Sequence, residues 1–488
     1  AVIGRRLCPL PRFKHAQMPA PPLRGAAAGG HGHLSLSLLA DRCSTLRGLT
    51  LVHAAMLVSG RLASDAFAAS RLLDAYAALS PPATVLRFLS SLPYAPNTFM
   101  LNTSLRALAS SPDPASALAF FSQLRRSVSS SYSPGRHTFP FLLKASARLP
   151  IPVSRQIHAL VLKHGLDRDT YVANGLIRAY SVAGRVRVAQ KVFDELPERS
   201  TVVYTTMVSC YAQNGRYEDA MGVFDDMVAK GFETSPVVLA SVLSACARSE
   251  SGGLVMGRRV HDIMERKGMA APVGVILGTA LVDMYAKNGA IDEAVMVFKG
   301  MPERHTATWN ALISGLAHHG HGEDALAMFQ QMRREGVPPN ATTLVGVLSV
   351  YCHTGQLDEA RRVFASMGDF GVTPSIQHYG CMVDLLGRSG LVSEAEEMIR
   401  GMTCKADTAI WGALLTACKN HGDIDVAERA VQEMLKLDPN NHGVYVVLSN
   451  IYADARRWQD VDRLRKVMKG AQLSKIPGSS TVDGCDDG

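Results

Sequence analysis

The sequence predicts an all-α protein, a right-handed superhelical solenoid of short helical hairpins. Three observations predict it. Apolar residues recur at i, i+3, i+4 and i+7 in paired stretches, the spacing of one helix face. A glycine stands between the two members of most pairs. The pair itself recurs along most of the 488 residues.

Residues 201–235 show the unit. Its first face reads Tyr204, Met207, Val208 and Tyr211, and its second reads Ala220, Val223, Phe224 and Met227. The turn between them is Asn214-Gly215. Glycine adopts the left-handed backbone that ends a helix at little steric cost. The register returns as Trp309, Leu312, Ile313, Leu316, then Ala325, Met328, Phe329, Met332. It returns again from Ala173, Leu176, Ile177 and Tyr180, and from Tyr379, Met382, Val383 and Leu386. Turn glycines fall at Gly184, Gly215, Gly289, Gly320, Gly355 and Gly390. One such hairpin cannot bury its apolar stripe alone. Stacking on its neighbours does so, which makes a solenoid.

The segments follow in order. Residues 1–31 form a leader, and the chain opens on Ala1 rather than Met, as a fragment or processed form does. Arg5, Arg6, Arg12, Lys14 and Arg24 precede the first acid, Asp41. An Arg-bearing, acid-free start is the composition of an organelle transit peptide. The formal net charge is +8, and these five cations supply much of it. The rest is only weakly basic, so charge by itself does not announce a nucleic-acid binder.

Residues 32–407 hold about eleven repeats of three kinds. Long units begin near 32, 136 and 236 and carry His53, His158 and His261 in the second helix. Short units at 66, 170 and 275 end in Leu-Pro or Met-Pro, as in Leu196-Pro197-Glu198-Arg199 and Met301-Pro302-Glu303-Arg304. Standard units begin at 98, 201 and 306. Ser80-Pro81-Pro82, residues 127–133 and Ser251-Gly252-Gly253 interrupt the pattern and are expected to be loops or degenerate repeats. Two further helical motifs are expected over 408–441 and 442–480, and a disordered end over 481–488. No run of about 18 uncharged apolar residues predicts a membrane span. The nine cysteines are scattered and form no C-x-x-C pair, which argues against a disulfide framework and suits a reducing compartment.

The alternation of long, short and standard units resembles the PLS class of pentatricopeptide repeat proteins of land-plant organelles. The strings Tyr285-Ala286-Lys287-Asn288-Gly289 and Val192-Phe193-Asp194-Glu195-Leu196-Pro197-Glu198-Arg199 carry the likeness, as does Met382-Val383-Asp384-Leu385-Leu386-Gly387-Arg388-Ser389-Gly390. Trp411-Gly412-Ala413-Leu414-Leu415 and Tyr445-Val446-Val447-Leu448-Ser449-Asn450-Ile451-Tyr452 resemble the two E motifs that follow such arrays. Leu437-Asp438-Pro439-Asn440-Asn441 also looks like a tetratricopeptide repeat, a class that commonly binds protein partners. Pro477-Gly478-Ser479-Ser480 resembles the box that closes the E region.

Proteins of this family read one base per repeat through two or three side chains. The resemblance assigns that role to the fifth and last residues. It pairs Ser70 with Asn97 for adenine, Asn102 with Gly135 for a pyrimidine, and Asn174 with Ser200 for cytosine. It pairs Thr205 with Ser235 and Thr279 with His305 for purines, and Asn310 with Asn340 for a pyrimidine. Gly380 with Asp407 is the last pair, uninformative at its glycine. Pro140, Ala240 and Val345 fill the fifth place of the long units and cannot hydrogen-bond a base edge. The implied RNA is A-Y-N-C-R-N-R-Y.

No catalytic constellation, metal site or cofactor signature emerges. His321-Gly322-Glu323 is formally H-x-E, yet zinc deaminases need P-C-x-x-C beside it. Aligned with Arg216-Tyr217-Glu218, it is only a turn and the start of a helix. The expected activity is therefore binding rather than catalysis. The resemblance implies a site-recognition factor for C-to-U editing of single-stranded organellar RNA. A deaminase or editing cofactor would be recruited in trans through 408–480. Mitochondrion or chloroplast is the expected compartment, the mitochondrion slightly favoured. The alternatives are a factor for transcript stability, splicing or translation, and a protein-interaction scaffold that binds no RNA.

Overall fold

The computed structural model describes residues 36–127, 132–268, 274–439, 441 and 443–470. The residues of the leader, those at 128–131, and the closing box and tail beyond 470 lie outside that description. Secondary structure among the described residues is helical. The chain divides into two compact units, residues 1–245 and 246–488. Each is a stack of antiparallel helical hairpins.

The first unit opens with helices Leu36–Arg42 and Leu46–Val58. Ala66–Leu79 then pairs with Pro82–Ser91, and Thr98–Ala109 with Ala115–Ser127. Phe139–Ser146 pairs with Ile151–Lys163, Thr170–Val182 with Val186–Asp194, and Thr201–Gln213 with Tyr217–Ala229. The second unit continues from Gly253–Arg266. It pairs Val275–Lys287 with Ile291–Gly300, Thr306–His318 with Gly322–Arg334, and Ala341–Thr354 with Leu357–Ala365. Ile376–Arg388 with Val392–Arg400, Thr408–His421 with Ile424–Leu437, and Gly443–Asp454 with Trp458–Gly470 complete it.

The first helix of a hairpin packs closely on the first helix of the next, whereas successive second helices lie farther apart and meet through long side chains, as Arg361 meets Glu394. First helices are thus sandwiched on several sides. Tyr204, Met207 and Val208 are fully buried, and so are Val203 and Cys210, which lie off the predicted stripe. Second helices bury a narrower face. Ala220, Phe224 and Met227 are buried, but Val223 is only half-buried, as is Met328 in its repeat. Burying a Leu- or Phe-sized side chain stabilises by about 1.5–3 kcal/mol, so the first-helix layer dominates the core.

The predicted turn glycines all adopt positive φ, from 66° at Gly184 to 82° at Gly320. A second glycine series, Gly165, Gly231, Gly268, Gly336 and Gly371, also at positive φ, ends the second helices of long and standard units. Short units close differently. Arg199 Nε donates to Phe193 O at 3.1 Å, and Arg304 Nε donates to Phe298 O at 2.8 Å, each guanidinium lying over that phenylalanine ring. The Pro-Glu-Arg ending is therefore an arginine cap on orphan helix carbonyls. Ser251-Gly252-Gly253, expected as a loop or degenerate repeat, is a tight junction. Gly252 has φ 72° and Gly253 begins the next helix.

The long-unit histidines find their partners one helix on. His53, His158 and His261 each place Nδ1 2.9 Å from a short-unit tyrosine hydroxyl, on Tyr76, Tyr180 and Tyr285. Between the last repeats and the following hairpins, Glu396 is 6% exposed and accepts from Arg429 and Arg400. Arg429, then Arg400, holds its carboxyl below the usual range against the opposing effect of burial. A continuous apolar cluster runs there from Tyr379 through Trp411 and Leu448 to Val461.

Candidate nucleic-acid interface

In most repeats the last residue is also the N-cap of the next first helix; after Gly135 that helix starts at Phe139 and its N-cap is Thr138. Asn97 Oδ1 accepts from Met100 N at 2.9 Å, and Asp407 Oδ1 from Ile410 N at 2.9 Å. Ser200 and Ser235 cap Val203 N and Val238 N, each at 3.4 Å. Small polar residues suit this place because they satisfy orphan helix N–H groups, worth about 0.5–2 kcal/mol. His305 stands at an N-cap without a side-chain cap bond. Gly135 brings no side chain and is half-buried.

The fifth residues lie one turn in, and the structure joins some predicted pairs and not others. Asn97 Nδ2 donates to Ser70 Oγ at 3.3 Å, and Asn310 Nδ2 donates to Asn340 Oδ1 at 2.9 Å. Asn102 meets Thr138 rather than Gly135, accepting at Oδ1 from the threonine hydroxyl at 2.9 Å. Asn174 accepts from Thr206 rather than reaching Ser200. Thr279 shares a 2.7 Å hydroxyl contact with Thr308, not with His305. Thr205 Oγ1 donates to its own helix at Thr201 O, 2.8 Å away, and Ser235 caps separately. Gly380 is half-buried with open space where a Cβ would stand.

Reading the sequence for hydrogen-bonding side chains missed the second residue of each repeat from 66 to 376. Phe67, Phe99, His137, Tyr171, Val202, Val237, Ile276, Ala307, Thr342 and Gln377 occupy it, and all are exposed; all but His137, which precedes helix Phe139–Ser146, are the second residue of a first helix. Several are large and apolar, with Tyr171 64%, Val237 64% and Ile276 79% exposed. In form they are flat or branched surfaces three places before the fifth residue of the repeat. The signal was in the sequence, as a recurring residue three places before the polar fifth position that falls off the buried stripe.

In four repeats a cation stands at or just past the far end of the first helix. Arg148, Arg248, Lys287 and Arg388 hold the same register place and are exposed. Positive charge there complements the helix dipole. It also suits phosphates. Lys287 and Arg388 are paired with Asp283 and Asp384 at 2.8 and 2.9 Å, contacts a phosphate could displace.

Among the described residues no group of three or more His, Cys, Asp or Glu could hold a metal ion, and no helix is long and apolar enough to cross a membrane. His321 is the N-cap of helix Gly322–Arg334.

Comparison with known proteins agrees with this layout. Family models for the PPR repeat match residues 171–200, 202–232, 279–305, 343–372 and 378–405. A PPR repeat family model matches 304–348, and an E motif model matches 421–483. Pentatricopeptide repeat-containing protein At5g56310 of Arabidopsis thaliana is 40% identical over 423 residues, covering 80% of this chain and 79% of the relative. A second Arabidopsis thaliana relative, described as chloroplastic/mitochondrial, is 36% identical over 499 residues, covering 99% of this chain and 76% of its own length. Among solved structures, the pentatricopeptide repeat protein PPR10 in complex with an 18-nt psaJ RNA element superposes with a TM-score of 0.65 at 19% identity. That match covers 88% of this chain and 64% of the other. The chain belongs to the pentatricopeptide repeat family, and its E motif fits the PLS class and its E subgroup.

Proposed function

We propose that this protein binds one stretch of single-stranded RNA base by base, in a mitochondrion or chloroplast, as a recognition factor and not as an enzyme. The observation that carries the reading is a register. An exposed second residue recurs from repeat to repeat, and the short and standard repeats at 66, 98, 170, 201, 275 and 306 add a polar fifth residue at a fixed place. Stacking on the second residue would contribute about 1–3 kcal/mol per base and tolerate any base. The fifth and last residues would supply the choice between bases. Phosphate contacts would come from the cations at the helix ends and would weaken with salt. The solved relative bound to an RNA element supports the reading, as does the relative whose description places it in both organelles.

The finer reading is C-to-U editing. The array would fix the register on the transcript, and the E-type region at 408–480 would hold a deaminase or editing cofactor in trans. The continuous core from Tyr379 to Val461 supports this, because it couples that region rigidly to the last repeats. Transcript sequencing from plants lacking the protein tests it. One or a few cytidines left unedited just 3′ of a matching sequence is the expected result. Intact editing with a missing or unspliced transcript would replace editing by an RNA-stability or splicing role, and no change in any transcript would favour the protein scaffold.

A further inference from the structure

We infer that threonines of the following repeat, Thr138 and Thr343, are positioning residues that set which face of the reader asparagines Asn102 and Asn310 meets the base. This deepens the RNA-binding reading above and rests on it. An asparagine amide accepts through oxygen and donates through nitrogen. Rotated by half a turn it would present the opposite pattern and read a different edge. Something must choose.

The choice is fixed by backbone N–H groups, which can only donate. At the first site Gly135 N donates to Thr138 Oγ1 at 3.3 Å. The same hydroxyl donates to Asn102, 2.9 Å away. The atom of Asn102 that accepts is the oxygen, leaving Nδ2 for the base. At the second site Asn340 N donates to Thr343 Oγ1 at 3.1 Å, and Thr343 Oγ1 donates to Asn310 Oδ1 at 2.6 Å, with Asn340 Oδ1 a more distant second acceptor at 3.2 Å. Thr343 N donates to Asn340 Oδ1 at 3.1 Å, so that atom too is an oxygen, and Asn310 Nδ2 donates to it at 2.9 Å. The ring of contacts is closed.

Asn310 is 8% exposed and Thr343 is fully buried. A flipped Asn310 amide would set its oxygen against Asn340 Oδ1 out of reach of water, which is costly. What remains free is one N–H of Asn310 and both of Asn340. These N–H groups favour acceptor atoms on a base edge. Asn174 is held more loosely. Thr206 has one hydroxyl proton, placed to serve either Asn174 Oδ1 or Val202 O.

The test uses the full chain and synthetic RNAs built on A-Y-N-C-R-N-R-Y. The eighth nucleotide, opposite Asn310, is set to each of the four bases, and so, in a second series, is the second nucleotide, opposite Asn102. Wild type should prefer pyrimidine by about tenfold at both, in the range of a good amide–base pair. Thr343→Val should cut the preference at the eighth nucleotide to within about twofold and leave the second unchanged, while Thr343→Ser retains both. Thr138→Val should do the reverse. The inference is overturned if Thr343→Val keeps its preference at the eighth nucleotide, loses it at both equally, or is matched by the serine variant. Thermal melts accompany each variant, and if Thr343→Val does not fold, Thr138→Val decides. Wild type with no base preference anywhere would overturn the RNA reading itself, a distinguishable result.

Discussion

The standard repeats at 201–235 and 306–340 share length, turn and hairpin, and they differ where it matters for a reader. In the first, Thr205 and Ser235 each bond to nearby backbone and not to each other. In the second, Asn310, Asn340 and the next repeat's Thr343 close a buried network. The residue matching Thr343 is Val238, which cannot join one. The helices also approach differently. Gly315 lies against Ala286, where the first repeat has Cys210 in the matching place. Aromatic chemistry differs as well. Tyr204 donates its hydroxyl to Asp226 at 2.7 Å, while the indole N–H of Trp309 is buried with no partner. One hairpin thus holds its fifth residue on local bonds, and the other ties it into its neighbour.

The contrast breaks most sharply where two first helices meet. Gly315→Ala would put a methyl into the side chain and backbone of Ala286. Overpacking of this kind costs about 1–3 kcal/mol, seen as a lower urea midpoint. Gly222→Ala, in the other repeat, meets open space and installs the alanine found at 327. It should raise stability by up to about 1 kcal/mol. Equal effects of the two would mean that the close approach at Gly315 is not real.

Asn310→Ala should come next. It removes two buried hydrogen bonds, to the Thr343 hydroxyl and to Asn340 Oδ1, at about 1–3 kcal/mol of stability, and should weaken matched RNA most. Thr205→Ala should weaken RNA binding with little change in melting. Calorimetry beside a binding titration separates them, and an Asn310→Ala protein as stable as wild type would contradict the closed network.

A smaller effect concerns pH at the following junction. The fifth place there is Val345, with no amide to hold, and His378 occupies the position of Thr343. Ser375 N donates to His378 Nδ1 at 3.1 Å, and Nε2 donates to Ala341 O at 3.0 Å. The ring is fully buried in its neutral form, and burial holds its pKa below 6.5, against opposing backbone hydrogen bonds. A lowered histidine pKa gives stability that is whole above 6.5 and falls as pH drops from there toward the folded value. His378→Thr should flatten that slope in urea unfolding between neutral and mildly acidic pH. An unchanged slope would assign it to other histidines, such as His53 and His158, whose pKa values burial also lowers.

The fold was legible because its determinants are local. Helix faces such as Tyr204, Met207, Val208 and Tyr211, and turn glycines such as Gly215, declare themselves within a dozen residues. The candidate site was legible only in part. Its fifth and last positions came from resemblance, and their contacts depend on stacking. Thr343 reaches Asn310 across a whole repeat, and Tyr285 meets His261 in the same way. No local pattern reveals such partners. Val223 was placed on a buried face and is half-buried, because second helices lack the flanking layer that first helices have. Ile276 and Val237 stood in plain view, yet an exposed apolar residue gains meaning only once many share one register.

The most direct test of base-by-base reading is a filter-binding titration of the full chain at rising salt. It compares an RNA carrying A-Y-N-C-R-N-R-Y with one of the same composition in scrambled order. The account predicts that the ordered RNA binds at least about tenfold more tightly and that both weaken as salt screens the phosphates. Equal affinity for the two RNAs, or none for either, would contradict it.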